Sequence, residues 1–205
     1  ITFTGGGMFH WEIDHEGLGL QHDWEMFDRP TAMLRFRGVE KCFVRSCVFK
    51  NSGGTGVRFD LTAMENEISD CRFTKLGATG ILFAGYGPGT KDVNWGNSVI
   101  NCEIDHTGMV LWHSPAIFLW QSGNNKVKNN YLHHLPYSAV IVSGRITWNK
   151  NGKGQCARTI RWHEIKEDLP AKPDWYMVEK YLHARNNVIE ENEIHSVMKM
   201  IGDGN

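Results

Sequence analysis

Asp60, just past a strand-like run, and Asp203, inside a Gly-Asp-Gly turn, are the carboxylates of this chain best placed to act as acid or base. Asp23, Glu25 and Asp28 follow one another closely near the start, and Asp92 lies in a glycine-rich stretch. Two carboxylates facing one sugar, one protonated and one ionised, are what glycoside hydrolysis requires. The sequence supplies the acids without pairing them. Each also has an ordinary use as a turn former or solvated charge.

A second chemistry is written in the cations. Arg35, Arg37 and Arg58 lie on adjacent turns, where they suit neutralising the carboxylate of a uronic acid during β-elimination. Their ordinary use is a solvated basic edge. No dense cluster of Asp marks a calcium site, so calcium enters only with the elimination reading and no cofactor is otherwise implied. Asp105-His106, His133-His134 and His195 recur at equivalent positions, with His113 close by. On neighbouring turns they come within metal-coordinating reach, and they also suit acid or base work or a stacked surface ladder; they lack the compact spacing of a zinc motif, so no metal ligand is assigned.

The elements that position these groups are visible as a repeat. An aliphatic residue, two spacers, Cys or Asn, a spacer and a second apolar residue recur at Val44 to Phe49, Ile68 to Phe73, Val99 to Ile104, Val127 to Leu132 and Ile189 to Ile194. Side chains on a strand alternate with a period of two, so two inward residues five apart need a corner between them. Cys47, Cys71, Cys102 and Asn130 occupy that corner, and stacked turns make them a ladder. Asn suits it by tolerating the left-handed conformation. A second element follows: Thr55 to Phe59, Thr79 to Phe83, Pro115 to Leu119 and Ser138 to Val142, with Met33 to Phe36 one turn earlier. Each reads as a strand with alternate apolar residues inward. Three short strands and three corners per turn make an all-β solenoid. It resembles the right-handed, single-stranded parallel β-helix of pectate lyases and related carbohydrate-active proteins, over Ala32 to Val142 and again from Asn187, with about five to six turns.

Where the repeat is interrupted, a groove is expected. Excursions span about 4–32, 84–97 and 143–186, and Gly108 to Ser114 enters at the opposite strand edge. Loops leaving one corner of successive turns stack into a wall. The floor between them would hold the outward residues Arg35, Arg58, Leu82, Phe118 and Ile141, with Arg37, Asp60, Ala84, Trp120 and Ser143 one step on. Aromatic and charged residues on a rigid solenoid suit an extended glycan. Asp23, Arg58, Tyr86, His113, Phe118, Trp120, His134 and Arg145 are the residues expected to touch it.

The 205 residues, 41% hydrophobic with 22 Gly, suffice for one continuous core as a single domain. A net charge of -1 argues against a nucleic-acid or anionic-membrane partner. No apolar run reaches the length of a membrane span. Neither end carries the cap a solenoid needs, so a longer protein, or self-association through uncapped ends, is expected. The five Cys do not form a disulfide framework; a buried free-thiol ladder accounts for Cys47, Cys71 and Cys102, while Cys42 and Cys156 have no motif context.

A narrower resemblance rests on Gln21-His22-Asp23-Trp24-Glu25, Gly85-Tyr86-Gly87-Pro88-Gly89-Thr90, Trp112-His113-Ser114-Pro115-Ala116-Ile117, Trp120-Gln121-Ser122-Gly123, Pro136-Tyr137-Ser138, Ser143-Gly144-Arg145 and Gly202-Asp203-Gly204-Asn205. These stretches are similar to bacterial β-helix proteins of glycoside hydrolase family 141. The resemblance implies hydrolysis of a polysaccharide or its side chains, with α-L-fucosidase and xylanase among the family's activities, and secretion or a periplasmic location. A polysaccharide lyase and a non-catalytic glycan-binding or structural module are the alternatives.

Overall fold

The computed structural model describes residues 1–7, 32–144, 162–165, 170 and 174–200. Its strands are β1 (Thr2–Gly6), β2 (Ala32–Glu40), β3 (Phe43–Arg45), β4 (Val48–Ser52), β5 (Thr55–Met64) and β6 (Glu67–Ser69). They continue as β7 (Arg72–Leu76), β8 (Ile81–Ala84), β9 (Asn94–Trp95), β10 (Ser98–Ile100), β11 (Glu103–Asp105) and β12 (Ile117–Trp120). The last five are β13 (Lys126–Lys128), β14 (Tyr131–His133), β15 (Val140–Ser143), β16 (Val188–Glu190) and β17 (Glu193–His195). Two single-turn helices, α1 (Trp162–Ile165) and α2 (Trp175–Val178), lie between β15 and β16.

Three parallel sheets form the walls of the solenoid. The first runs β1-β4-β7-β11-β14-β17, the second β16-β13-β10-β6-β3, and the third β15-β12-β8-β5-β2. Each circuit visits the third, second and first sheets in turn, in a right-handed parallel β-helix. Inside, equivalent residues stack at the strand spacing. Phe3, Phe49 and Phe73 form one column with ring centroids 4.8 Å apart. Phe36, Phe59 and Phe83 form another, at 4.8 and 5.1 Å.

Two corners of each circuit are held by side-chain ladders. At the corner between the second and first sheets, the Asn130 side chain accepts from Cys102 N at 2.9 Å and donates to Asn192 Oδ1 at 2.9 Å. Cys47 N reaches Cys71 Sγ at 3.4 Å, and all four described cysteines are free thiols. The left-handed residue is not the rung itself, as the sequence suggested, but the one before it: Ser46, Asp70, Asn101, Asn129 and Glu191 have φ between 51° and 55°. The rung contributes an amide or thiol aimed along the stack, which explains why Cys and Asn interchange there.

The corner between the third and second sheets has its own ladder, which the sequence reading missed. Cys42, Asn66, Asn97, Asn125 and Asn187 are its rungs, spaced 24, 31, 28 and 62 residues apart. Cys42 therefore has a structural context after all. The widest spacing accommodates the 143–186 excursion without breaking the register.

Candidate functional site

The outward columns of the third sheet have the register expected. Arg35, Arg58, Leu82, Phe118 and Ile141 are successive partners, as are Arg37, Asp60, Ala84, Trp120 and Ser143. Their exposure corrects the expectation of an open floor. Arg58, Asp60 and Phe118 are 0% exposed and Trp120 is 2%. Leu82, Ala84, Phe118 and Trp120 join Ala78 and Leu111 in a second buried apolar cluster outside the solenoid core. Phe118 and Trp120 stack at 5.5 Å, and the Trp120 indole N–H has no hydrogen-bond partner.

Asp60 is committed to cations on this face. Its Oδ1 accepts from Arg58 Nε and its Oδ2 from Arg35 Nε, with Arg37 Nη2 3.4 Å away. A carboxylate whose two oxygens are taken by guanidinium groups has little free surface left for a ligand. Its geometry makes Asp60 a buried ion-pair centre of the third sheet. Arg58 acts with it inside the protein instead of meeting a ligand on an open surface.

The glycine-rich loop after β8 is clamped from the later excursion. Gly85 permits the start of the loop, because a Cβ there would stand 1.8 Å from Gln121 O. Tyr86 donates to Glu164 of α1, which also accepts from Thr90 N at 3.1 Å and Thr90 Oγ1 at 2.7 Å. Buried His183 bonds Gly89 O at 2.9 Å, and Arg185 pairs with Asp92 at 2.8 Å. Burial, reinforced by Arg185, holds His183 below its ordinary pKa despite the opposing pull of Asp92. The described parts of these two excursions are thus in contact, with Tyr86 and Asp92 among the residues that join them. Glu164 had no local motif to announce it.

Among the described residues, one open cleft lies at the corner following the first sheet. A cleft of about 300 Å³ is lined by His106, Met109, Trp112, His134, Lys199 and Met200 among others. Trp112 is 54% exposed. His106 and His134 both have left-handed backbones, at φ 48° and 53°, and their rings stack 5.5 Å apart. His113 packs edge-on against Tyr137 at 5.1 Å.

His106 Nδ1 is paired with the buried Asp105 carboxylate. Burial opposes ionisation of Asp105, but bonds from the Thr74 hydroxyl and His106, with the charge of Arg72, outweigh it and hold the carboxyl below its ordinary value. His134 is also held below its ordinary value, first by desolvation and then by Lys199 and neighbouring histidines. A carboxylate that orients an imidazole toward a cleft is an arrangement for moving a proton. Beside it on the outer face of the first sheet, Glu103, Asp105 and His133 bring potential metal-ligand atoms within 4.8 Å of one another. The sequence places Asp105 and His133 within reach of each other on neighbouring turns, whereas Glu103 had no signal of its own.

Asp203, Asp23 and Arg145, also expected in the site, lie outside the described residues. Of the remaining expected contacts, the structure places His134 in the cleft, His113 beside its loop, Tyr86 in the clamp, and Arg58, Phe118 and Trp120 under cover.

Neither the curated proteins nor the solved structures compared with the chain give a match. The family model for the right handed beta helix region matches residues 32–152, more than half of the chain and the whole run of turns from β2 to β15. With three parallel sheets wound around stacked aromatic and amide ladders, the chain belongs to the right-handed β-helix family.

Proposed function

We propose that this is a carbohydrate-active β-helix protein that seats a saccharide in the cleft beside Trp112 and hydrolyses a glycosidic bond of a polysaccharide or its side chains. The observation that carries the reading is the Asp105–His106 pair opening onto a cleft with an exposed indole. An indole face suits the apolar face of a sugar ring, while polar groups around it hold hydroxyls. His106, oriented by Asp105, is positioned to exchange a proton with a bound hydroxyl or leaving oxygen. Asp203 follows the lining residue Met200 by three positions in sequence and is the carboxylate proposed to complete the pair that hydrolysis needs. The similarity to glycoside hydrolase family 141 points the same way and favours fucosylated and xylose-containing glycans, met outside the cytoplasm.

β-Elimination draws less support, because Arg35, Arg37 and Arg58 are already engaged by the buried Asp60 carboxylate. The test is release of saturated sugar from fucosylated and xylose-containing polysaccharides, with absorbance of unsaturated products followed in parallel. Loss of a proton-transfer group lowers turnover by about 10² to 10⁴-fold. His106→Ala and Asp203→Asn are each expected to fall in that range, and Trp112→Ala to weaken substrate binding. Unsaturated product would replace the reading with elimination. Glycan binding with no turnover in the wild type would replace it with a non-catalytic module.

A further inference from the structure

We propose that Glu103, Asp105 and His133 form a binding site for a divalent transition-metal ion on the outer face of the first sheet. Glu103 and Asp105 are alternate residues of β11 and point to the same side, while His133 is the β14 partner of Asp105 in the parallel register. The three therefore converge by construction of the repeat. Their potential ligand atoms lie within 4.8 Å of one another, and His133 Nε2 is 3.5 Å from Glu103 Oε1. Ligands about 2.0 to 2.1 Å from a tetrahedral zinc ion stand roughly 3.4 Å apart, so that pair is already at ligand spacing and Asp105 needs only a small closing movement.

His133 supplies a second, independent observation. Its residue is only 9% exposed, and its Nε2 is buried without a hydrogen-bond partner among the described residues. A buried imidazole nitrogen left without a partner is costly, and here it points toward two carboxylates. Its other nitrogen, Nδ1, is 2.7 Å from His134 Nδ1, an outer contact of the kind that fixes ring orientation and tautomer in metal-bound histidines. Asp105 is similarly braced by Thr74 Oγ1 at 2.6 Å. One nitrogen and two carboxylate ligands suit zinc or manganese and leave positions for water.

Arg72 is the competitor. Its Nη2 lies 3.2 Å from Glu103 and 3.5 Å from Asp105, and its side chain is 51% exposed. A bound dication would displace the guanidinium toward solvent and take over its charge-balancing role.

Zn²⁺ titration of the chelator-treated chain near neutral pH, read by competition with a chromogenic indicator, tests the proposal independently of any saccharide. One equivalent is expected to bind and to raise the melting temperature. His133→Gln and Glu103→Gln are each expected to weaken it by about tenfold or more, and Arg72→Gln, which removes the competing cation, to tighten it. His163→Gln and His22→Gln, elsewhere in sequence, control for general histidine binding and are expected to leave the affinity unchanged. Melting in chelator shows whether each variant is folded. Absence of stoichiometric binding overturns the proposal, as does unchanged affinity in folded His133→Gln and Glu103→Gln. If either of those variants melts early, unchanged or weaker binding in Arg72→Gln overturns it on its own.

Discussion

Asn130→Ala removes the rung where the ladder passes from cysteine to asparagine and tests whether such rungs hold the solenoid corners. Asn130 is 1% exposed; its Oδ1 is the acceptor of Cys102 N at 2.9 Å, and its Nδ2 donates to Val99 O at 3.0 Å and to Asn192 Oδ1 at 2.9 Å. Alanine strands the buried Cys102 N–H, at about 1 to 3 kcal/mol, and forfeits two further bonds at about 1 kcal/mol each, so a loss of roughly 3 to 5 kcal/mol is expected. For a chain of this size that lowers the melting temperature by about 6 to 20 °C. Thermal and urea unfolding by circular dichroism read both quantities. Asn130→Cys refines the test, because thiols already occupy the preceding rungs and one accepts a backbone N–H, Cys47 N to Cys71 Sγ at 3.4 Å. Cysteine is expected to cost less than alanine. An alanine variant within about 0.5 kcal/mol of wild type, or a cysteine variant worse than alanine, would refute the reasoning.

Asp60→Asn removes the carboxylate from the fully buried Arg58 and from Arg35, so it is expected to destabilise by about 3 to 5 kcal/mol, measured by urea unfolding; a variant as stable as wild type yet inactive would restore Asp60 as a catalytic group. The depressed pKa of Asp105 makes its stabilisation complete above the unfolded carboxyl value of about 3.9 and lost as pH falls through the lower folded value. The stability gap between wild type and Asp105→Asn is therefore expected to be constant near neutrality and to shrink in acid, and a gap that widens in acid would contradict the assignment. Gly85→Ala, with its Cβ 1.8 Å from Gln121 O, forces two backbone turns apart and is expected to cost about 1 to 3 kcal/mol or more, seen as a lowered melting temperature. Half-buried Cys42 is expected to react with a thiol reagent ahead of buried Cys47, Cys71 and Cys102, which should react at the rate of unfolding; fast native labelling of Cys71 would show that the ladder opens locally.

The parts of the fold legible in the sequence are those that repeat on a fixed geometric rule. Val44 and Phe49, or Val127 and Leu132, announce an inward–corner–inward turn whatever lies between repeats, so strand columns could be aligned across excursions of any length. The second ladder was equally available: Cys42, Asn66, Asn97, Asn125 and Asn187 each stand five positions before a rung of the first. Its spacings equal those of the first ladder, so unequal loops do not hide it; its rungs lie just outside the inward–corner–inward pattern, two positions before the first aliphatic residue of each repeat. Covering of the third sheet also left a trace. The runs Ile81-Leu82-Phe83-Ala84 and Ile117-Phe118-Leu119-Trp120 are apolar at every position, the signature of strands buried on both faces. Only the alternation had been read from them. Glu164 against Tyr86 and Thr90 had no such trace, because it joins segments far apart in sequence.

The displacement of the candidate site from a strand face to a corner has a physical origin. On a strand of the third sheet the outward side chains stand side by side, and apolar ones such as Leu82 and Phe118 gain by being covered. At the corner after the first sheet the chain must reverse, and left-handed residues recur there at Asn51, Lys75, His106, His134 and Ser196. Each is forced into the same unusual backbone by the turn, so its side chain is free to vary from circuit to circuit. His106 and His134 use that freedom to place stacked imidazoles at the cleft mouth, while Asp105 and His133, one residue earlier, remain in the sheet and are buried. Each Asp-His or His-His doublet therefore straddles the boundary between rigid strand and open corner: one member is fixed by the ladder, the other reaches solvent. That division places an orienting group beneath a reactive one in consecutive turns, and Asp105→Asn should accordingly impair proton transfer by His106 while leaving the cleft lined by the same side chains. A pH–rate profile with an unaltered histidine limb in Asp105→Asn would show that the doublet is structural and that the chemistry lies elsewhere.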